Sequence, residues 1–283
     1  MVDETRLELS PATLHIVRII LQVRKPYPMP QSTLVSAAML AIGDELLSGR
    51  TKDKNIGHLA DVLTLAGIDL KEVRIVADEE DAIVEAVNAL RSRYTYVFTS
   101  GGIGPTHDDI TADAVSKAFG LPCVHDDKAM QMMAEMYARR GLEFTEARQR
   151  MARMPEGAEH IPNAVSTAPG FRVENVYVMA GVPQVFQAML EEVTKTLKSG
   201  VKVLSRAIAC PYGEGEIGTD LAAVQKAHPE TSIGSYPRYD GSKGFHTELV
   251  VRARSEEVLN AAVVAVEKMI TAIKSSKTVT LEA

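Results

Sequence analysis

The sequence predicts an α/β protein, a three-layer sandwich around a mostly parallel sheet followed by a small α+β unit. Three observations point there. Nearly continuous apolar runs at residues 34–42 and 94–99 read as strands buried on both faces. Between them, segments with apolar residues at helical spacing alternate with strand-like segments, the pattern of stacked βαβ units. Beyond Lys198-Ser199-Gly200 the order changes to strand, helix, two strands and helix. At 283 residues the chain is at the upper edge of what one core supports, which fits a main domain plus a smaller one.

Residues 1–32 read as a tail. They end in Lys25-Pro26-Tyr27-Pro28-Met29-Pro30, whose prolines disfavour both helix and central strand. One short amphipathic helix near Leu14 to Leu21 is expected there, and a translation start further downstream is the alternative. The main domain is expected over 33–197. After the first strand, Ile56, Leu59, Ala60, Leu63 and Ala66 mark a helix, with Gly67 placed as its C-terminal cap. Residues 68–76 alternate as a strand, Ile83, Val84, Val87 and Leu90 mark a second helix, and 94–99 is the next strand. Helices are expected at 127–140 and 145–154. Met130, Met132, Met133 and Met136 in the first of these suit core packing or, alternatively, a pocket wall. Two short strands meet at a turn at Glu174-Asn175, residues 177–180 form the last strand, and a helix runs from Pro183 to about Leu197. The small unit, expected over 201–276, reads as βαββα, with strands at 201–209, 231–236 and 247–254 and helices at 216–227 and 256–273.

Composition narrows the function classes. Hydrophobic residues are 46% and charged residues 24%, as in an ordinary globular chain. No apolar run approaches the roughly 18 uninterrupted residues of a membrane helix. Asp3, Glu4 and Glu8 stand where a secretory signal wants positive charge, so a cytoplasmic protein is expected. The net charge of −6 and the absence of Trp argue against a nucleic-acid binder, and residues 201–283 balance ten Lys/Arg against ten Asp/Glu. Cys123 and Cys210 are far apart, and no HExxH or CxxC motif offers a transition-metal site.

The chemistry concentrates in Thr99-Ser100-Gly101-Gly102-Ile103-Gly104-Pro105-Thr106-His107-Asp108-Asp109-Ile110-Thr111. A buried strand ends, three glycines follow within four residues, and a helix begins near Thr111. Such glycines let backbone approach a ligand, and the open amides of loop and helix favour an anion such as phosphate. A plainer alternative is a tight turn with Asp109 or Thr111 as helix cap. Carboxylates beside a phosphate repel it unless a cation lies between, so Asp109, with Asp108, is a candidate for holding Mg²⁺ or positioning a pyrophosphate for attack. Gly43-Asp44-Glu45 and Asp78 follow neighbouring strands and are expected at the same crevice. Asp78 could instead cap the next helix, and Glu45 could simply be solvated. Asp53 and Asn55 are divided between capping and ligand contact. Gly213-Glu214-Gly215-Glu216-Ile217-Gly218 matches GxGxxG, but its glutamates would face a pyrophosphate, and dinucleotide binding there is discounted.

Taken together, Gly43-Asp44-Glu45-Leu46-Leu47-Ser48-Gly49, Asp53-Lys54-Asn55, the glycine loop through Thr111, and Gly181-Val182-Pro183 resemble the molybdopterin-binding (MoaB/Mog) domain family. Ala168-Pro169-Gly170-Phe171 and Tyr177-Val178-Met179 resemble its competence/damage-inducible protein A (CinA) branch. The resemblance covers about residues 35–197, and the unit that follows is similar to the KH-like subdomain of that branch. It implies a ligand lying across the glycine loop and a homo-oligomer. In the adenylyltransferase branch two aspartates serve Mg²⁺-dependent transfer of AMP to molybdopterin, and they align with Asp78 and Asp109. In the CinA branch the comparable domain hydrolyses the pyrophosphate of ADP-ribose. On this basis Ser100, Gly101, Gly102 and Gly104 are expected to contact phosphate. Asp44, Asp53 and Asn55 are expected at the nucleoside or pterin end, with Gly43, Glu45, Thr111, Gly181 and Pro183 completing the pocket. The expected function is metal-dependent pyrophosphate hydrolysis on a nucleotide. The alternatives are a molybdenum-cofactor enzyme or carrier and a non-catalytic binding module. Two departures stand out. Ala180-Gly181-Val182-Pro183 replaces the Pro-Gly-x-Pro of many relatives, and the chain ends before a CinA-type deamidase domain could fit, so deamidation is not carried over.

Overall fold

The structure, a computed structural model, describes residues 34–240 and 244–281. The tail expected at 1–32, with its short helix, lies outside the described residues. In chain order the first part contains β1 (Ser36–Ile42), a single turn α1 (Asp44–Leu47), α2 (Asn55–Leu65), β2 (Asp69–Val76), α3 (Glu80–Arg91), β3 (Tyr96–Ser100), α4 (Thr111–Phe119), β4 (Cys123–His125), α5 (Asp127–Arg139), α6 (Glu146–Gln149), β5 (Arg153–Pro155), β6 (Glu159–Ile161), β7 (Gly170–Val173), β8 (Val176–Met179) and α7 (Pro183–Thr194).

The three layers follow from the two-residue period of a strand. On β1, Ala38, Leu40 and Ile42 enter one core, while Ala37 and Met39 enter the other. The first core is covered by α3, α4 and α5 through Ile83, Val87, Val115 and Met133. The second is covered by α2 and α7 through Leu59, Leu63, Phe186 and Met189. Phe98 on β3 is fully buried and stacks on Tyr177 of β8, with ring centroids 5.4 Å apart. Full burial of each such side chain contributes about 1.5–3 kcal/mol.

The main sheet has the order β2-β1-β3-β8-β7-β6. Strands β2, β1, β3 and β8 are mutually parallel, while β7 runs antiparallel to β8 and β6 antiparallel to β7. The β7–β8 hairpin turns at Glu174-Asn175 as expected, with Glu174 at φ 50 and the Asn175 amide donating to the carbonyls of Arg91 and Tyr94. Met133 and Met136 of α5 are core residues.

The helix expected at 145–154 is corrected. Thr145 caps one turn, α6, a 3-10 turn Arg150–Ala152 follows, and Arg153–Pro155 then pairs antiparallel with β4. Pairing with a distant strand outweighs the local helical pattern, and Pro155 could not continue a helix.

The small unit contains β9 (Leu204–Cys210), α8 (Glu214–Ala227), β10 (Ser232–Asp240), β11 (Gly244–Ala253) and α9 (Glu256–Leu281). Its antiparallel sheet has the order β10-β11-β9, and Leu249, Val251, Leu259, Val263 and Val266 fill a third core. At the GxGxxG-like segment, Glu216 turns back to accept the Gly213 N–H at 2.9 Å. That is a helix-start function, and it leaves this glutamate facing its own backbone. The unit is tied to the main sheet by Arg254, whose guanidinium donates to the Val201 carbonyl and to the Asp69 carboxylate at the start of β2.

Candidate functional site

Strand register brings the candidate residues to one edge. Ile42 pairs with Val76, Ala41 with Ser100, and Ser100 with Met179. The segments carrying Gly43 to Glu45, Asp78, the glycine loop and Gly181 therefore leave the parallel strands from their shared carboxyl end, where ligands bind in open α/β sheets.

The glycine loop folds tightly on itself. Gly101 and Gly102 have φ of 109 and 68, conformations that side-chain-bearing residues rarely adopt. A Cβ on Gly101 would collide with the Ile42 carbonyl oxygen, and one on Gly102 with the Thr111 hydroxyl. The Gly101 N–H is engaged by the Met179 carbonyl at 3.1 Å, so it is not an open amide as expected. Thr111 is fully buried. Its N–H donates to the Gly102 carbonyl and its hydroxyl to the Gly101 carbonyl, each at 3.0 Å. It staples the loop to the start of α4, whose N-cap is Ile110, and its hydroxyl is spent on the Gly101 carbonyl. Among the described residues, the N–H groups of Gly102, Ile103 and Gly104 have no partner. Three consecutive free amides in a loop packed on the start of α4 are donors of the kind that suit an anion.

Several expected ligand residues are engaged in holding this loop. Asn55 is 3% exposed and donates through Nδ2 to Ser100 Oγ and to the Gly181 carbonyl, both at 2.8 Å. Ser100 is also buried, and its hydroxyl reaches the Ala180 carbonyl at 3.4 Å. These two side chains join β3, α2 and the end of β8 from beneath. Asp53 accepts the Ile56 N–H at 2.7 Å, so the capping alternative describes it. Gly181 approaches Gly101 so closely that a Cβ there would lie 3.3 Å from the Gly101 Cα, and Pro183 opens α7.

The carboxylates divide into two roles. Asp109 turns Oδ2 inward, accepting the Thr106 N–H at 2.8 Å and the Thr106 hydroxyl at 2.5 Å. A Cβ on Gly104 would lie 2.6 Å from this same oxygen. Asp109 therefore shapes the loop, and its carboxylate is less open to a metal than expected. Asp78 does not cap α3, whose N-cap is Glu79; it accepts the Asp44 N–H at 2.9 Å. Burial pushes the Asp78 carboxyl above its ordinary range, the Asp44 N–H opposes this, and the charges of Asp44, Glu45 and Asp108 add to the rise. Asp44, Glu45, Asp78 and Asp108 thus share one negative field. Glu45 folds its carboxylate over Gly43, where a Cβ would lie 2.6 Å from it.

Among the described residues, no three His, Cys, Asp or Glu side chains converge closely enough to hold a metal ion alone. The donor set suits a cation that takes one or two carboxylates plus substrate phosphates, the preference of Mg²⁺. No helix among the described residues is long and apolar enough to cross a membrane. Two features of this loop were not legible in the motif. The Ile103 amide sits between Gly102 and Gly104, two of the three glycines expected to bind phosphate, and Arg150, some 40 residues away, donates to the Asp109 carbonyl at 3.3 Å.

Residues 38–199 match the family of probable molybdopterin binding domains, and residues 202–278 match the middle domain of FAD synthases. A protein of Pyrobaculum arsenaticum is 36% identical over 251 residues, spanning 84% of this chain and 95% of its own. A protein of Metallosphaera sedula is 36% identical over 248 residues, spanning 80% and 93%. The crystal structure of the protein CinA of unknown function from Thermoplasma acidophilum superposes with a TM-score of 0.53 at 32% identity, covering 57% of this chain and 97% of that one. The chain belongs to the molybdopterin-binding (MoaB/Mog) domain family, in its CinA-like branch.

Proposed function

We propose that the cleft binds a nucleotide through its phosphates and hydrolyses a pyrophosphate bond, as in ADP-ribose or a related dinucleotide, with a divalent cation. The observation that carries this reading is the run of free amides at Gly102, Ile103 and Gly104, in the loop that also carries Asp108 and on the same sheet edge as Asp78. Amides alone would hold an anion, and carboxylates alone would repel it. Their combination suits a phosphate bridged by a cation. The likeness of residues 202–278 to a domain of FAD synthases supports a dinucleotide as the ligand.

In this reading the loop amides orient the phosphate. Asp78 and Asp108 would hold the cation, which supplies charge neutralisation at the phosphorus under attack. The Asp44 N–H fixes Asp78 Oδ2 and leaves Oδ1 without a donor among the described residues. Asp109 holds the loop through Thr106, while Asn55 and Ser100 hold it from beneath. Addition of water across the P–O–P bond of ADP-ribose gives AMP and ribose 5-phosphate.

The test is release of AMP from ADP-ribose, FAD and NADH with Mg²⁺ or Co²⁺. Turnover by the wild type, lowered about 100-fold or more in Asp78→Asn and Asp108→Asn, supports the reading. A folded wild type without turnover contradicts it. The family match over residues 38–199 favours a second reading, in which the same amides hold the phosphate of molybdopterin. Pterin fluorescence retained through purification, without dinucleotide turnover, would select that one.

A further inference from the structure

Three arginines lie close together in sequence after α5, and two have structural partners. Arg148 donates to the Glu143 carbonyl and lies 4.6 Å over the Tyr137 ring. Arg153 grips both carboxylate oxygens of Asp113 on α4. Arg150, in the 3-10 turn between them, differs. It is half-buried, and no carboxylate among the described residues lies within ion-pair distance. Its Nη2 donates to the Asp109 carbonyl at 3.3 Å, and its buried Nε–H has no hydrogen-bond partner. Buried donors are rarely left unpaired, and an unpaired guanidinium in a protein interior is costlier still.

The location gives the rest of the guanidinium a use, since Nη1 has no partner among the described residues and is not enclosed as Nε is. Asp109 is held between Gly104, whose backbone lies against its carboxylate, and Arg150, which holds its carbonyl. The guanidinium is therefore at the carboxyl-terminal side of the same loop that presents the free amides. A planar guanidinium carries five donors, so one bond to Asp109 leaves several for phosphate oxygens. Asp44, Glu45, Asp78 and Asp108 make this edge negative, which disfavours an anionic ligand unless fixed positive charge offsets them.

We propose that Arg150 is a phosphate-binding residue of the site, supplying the fixed positive charge that admits a pyrophosphate-bearing ligand. It rests on the reading of the glycine loop as a phosphate site. The probe is α,β-methylene-ADP, whose bridging carbon resists hydrolysis, titrated with Mg²⁺ at two ionic strengths. Wild type, Arg150→Met and Arg150→Lys are compared by calorimetry, with melting temperatures recorded. Arg150→Met binds about 10- to 100-fold more weakly, the loss of a charge-assisted bond, and its affinity depends less on salt. Arg150→Lys keeps the salt dependence and recovers part of the affinity, because the charge remains and the planar fork does not. Where the Met variant is poorly folded, Lys decides, since affinity equal to wild type would mean the guanidinium does not touch phosphate. Arg150→Met binding within about twofold of wild type, or weakened with unchanged salt dependence, overturns the assignment and leaves the phosphate site standing. A wild type that does not bind the probe overturns both.

Discussion

Asp78 Oδ2 accepts the backbone N–H of Asp44 at 2.9 Å, joining the segment after β2 to the segment after β1. The bond holds a carboxylate that its surroundings resist charging, since burial and three neighbouring acids all favour the protonated form. A carboxylate kept in such a place suits a role that relieves its charge, and a bound cation would do so.

Asp78 has a stability signature of its own. Its folded-state pKa is raised above the unfolded value, so the ionised form weakens the fold at neutral pH. In an Asp78→Asn variant the side-chain amide oxygen would still accept the Asp44 N–H. That variant is therefore expected to melt higher than the wild type at pH 7. The difference closes as pH falls through the folded pKa toward the ordinary carboxylate range, where the wild type also becomes neutral. Thermal melts from pH 4 to 8 check this, and an Asp78→Asn variant less stable at every pH would contradict it.

Gly102→Ala tests the loop geometry. Alanine at a φ of 68 costs about 1–2 kcal/mol, and its Cβ would collide with the Thr111 hydroxyl that closes the loop. Melting should fall, and binding of ADP-ribose should be lost more completely than in Gly120→Ala. Gly120 has a similar φ of 66 but open space around it and no place at the site. Equal binding by both variants would contradict the assignment.

Asn55→Asp separates a buried staple from a ligand contact. The replacement puts a carboxylate beside the Gly181 carbonyl and the Ser100 hydroxyl in a 3% exposed position, where ionisation is disfavoured. Stability should drop by about 3 kcal/mol or more at pH 7 and recover part of the loss near pH 4, where the new group is protonated. Chemical denaturation at both pH values measures it. Unchanged stability with lost ligand binding would instead place Asn55 at the ligand.

Arg254→Ala tests the tie between the main sheet and the small unit. Burial opposes ionisation of Asp69, but hydrogen bonds and charge from Arg254 and Lys71 outweigh it and hold the carboxyl below its ordinary range. A depressed pKa contributes stability above the unfolded value and loses it as pH falls through the folded one. The wild type should therefore exceed Arg254→Ala in stability near pH 7, and the gap should narrow below about pH 4. Limited proteolysis should cut the variant faster near residues 198–203. An equal cutting rate would mean that Arg254 does not secure this junction.

The layers were legible because local pattern and tertiary packing agree there. Ala37 to Leu40 alternate between two cores, and Leu59 and Leu63 recur at helical spacing on one face. Strands β4, β5 and β6 were not legible. Each is three residues long, and a distant partner specifies the pairing, as Val124 does for Met154. At the site, residue type located the loop and the acids but not which atoms remain free. Ser100, Asn55 and Thr111 carry the polar groups a phosphate would attract, yet packing turns all three onto neighbouring backbone or one another. Ile103 contributes only its amide and Arg150 arrives from a separate segment, so neither had a signal in the loop's own residues.

In the proposed function, the free amides of Gly102, Ile103 and Gly104 receive a phosphate. Backbone amide shifts on isotope-labelled wild type, followed during titration with the non-hydrolysable α,β-methylene-ADP and Mg²⁺, test it most directly. The Gly102, Ile103 and Gly104 resonances should move most, with Asp109 and Ile110 following. Saturating shifts confined to residues 201–276, with the loop unmoved, would contradict it.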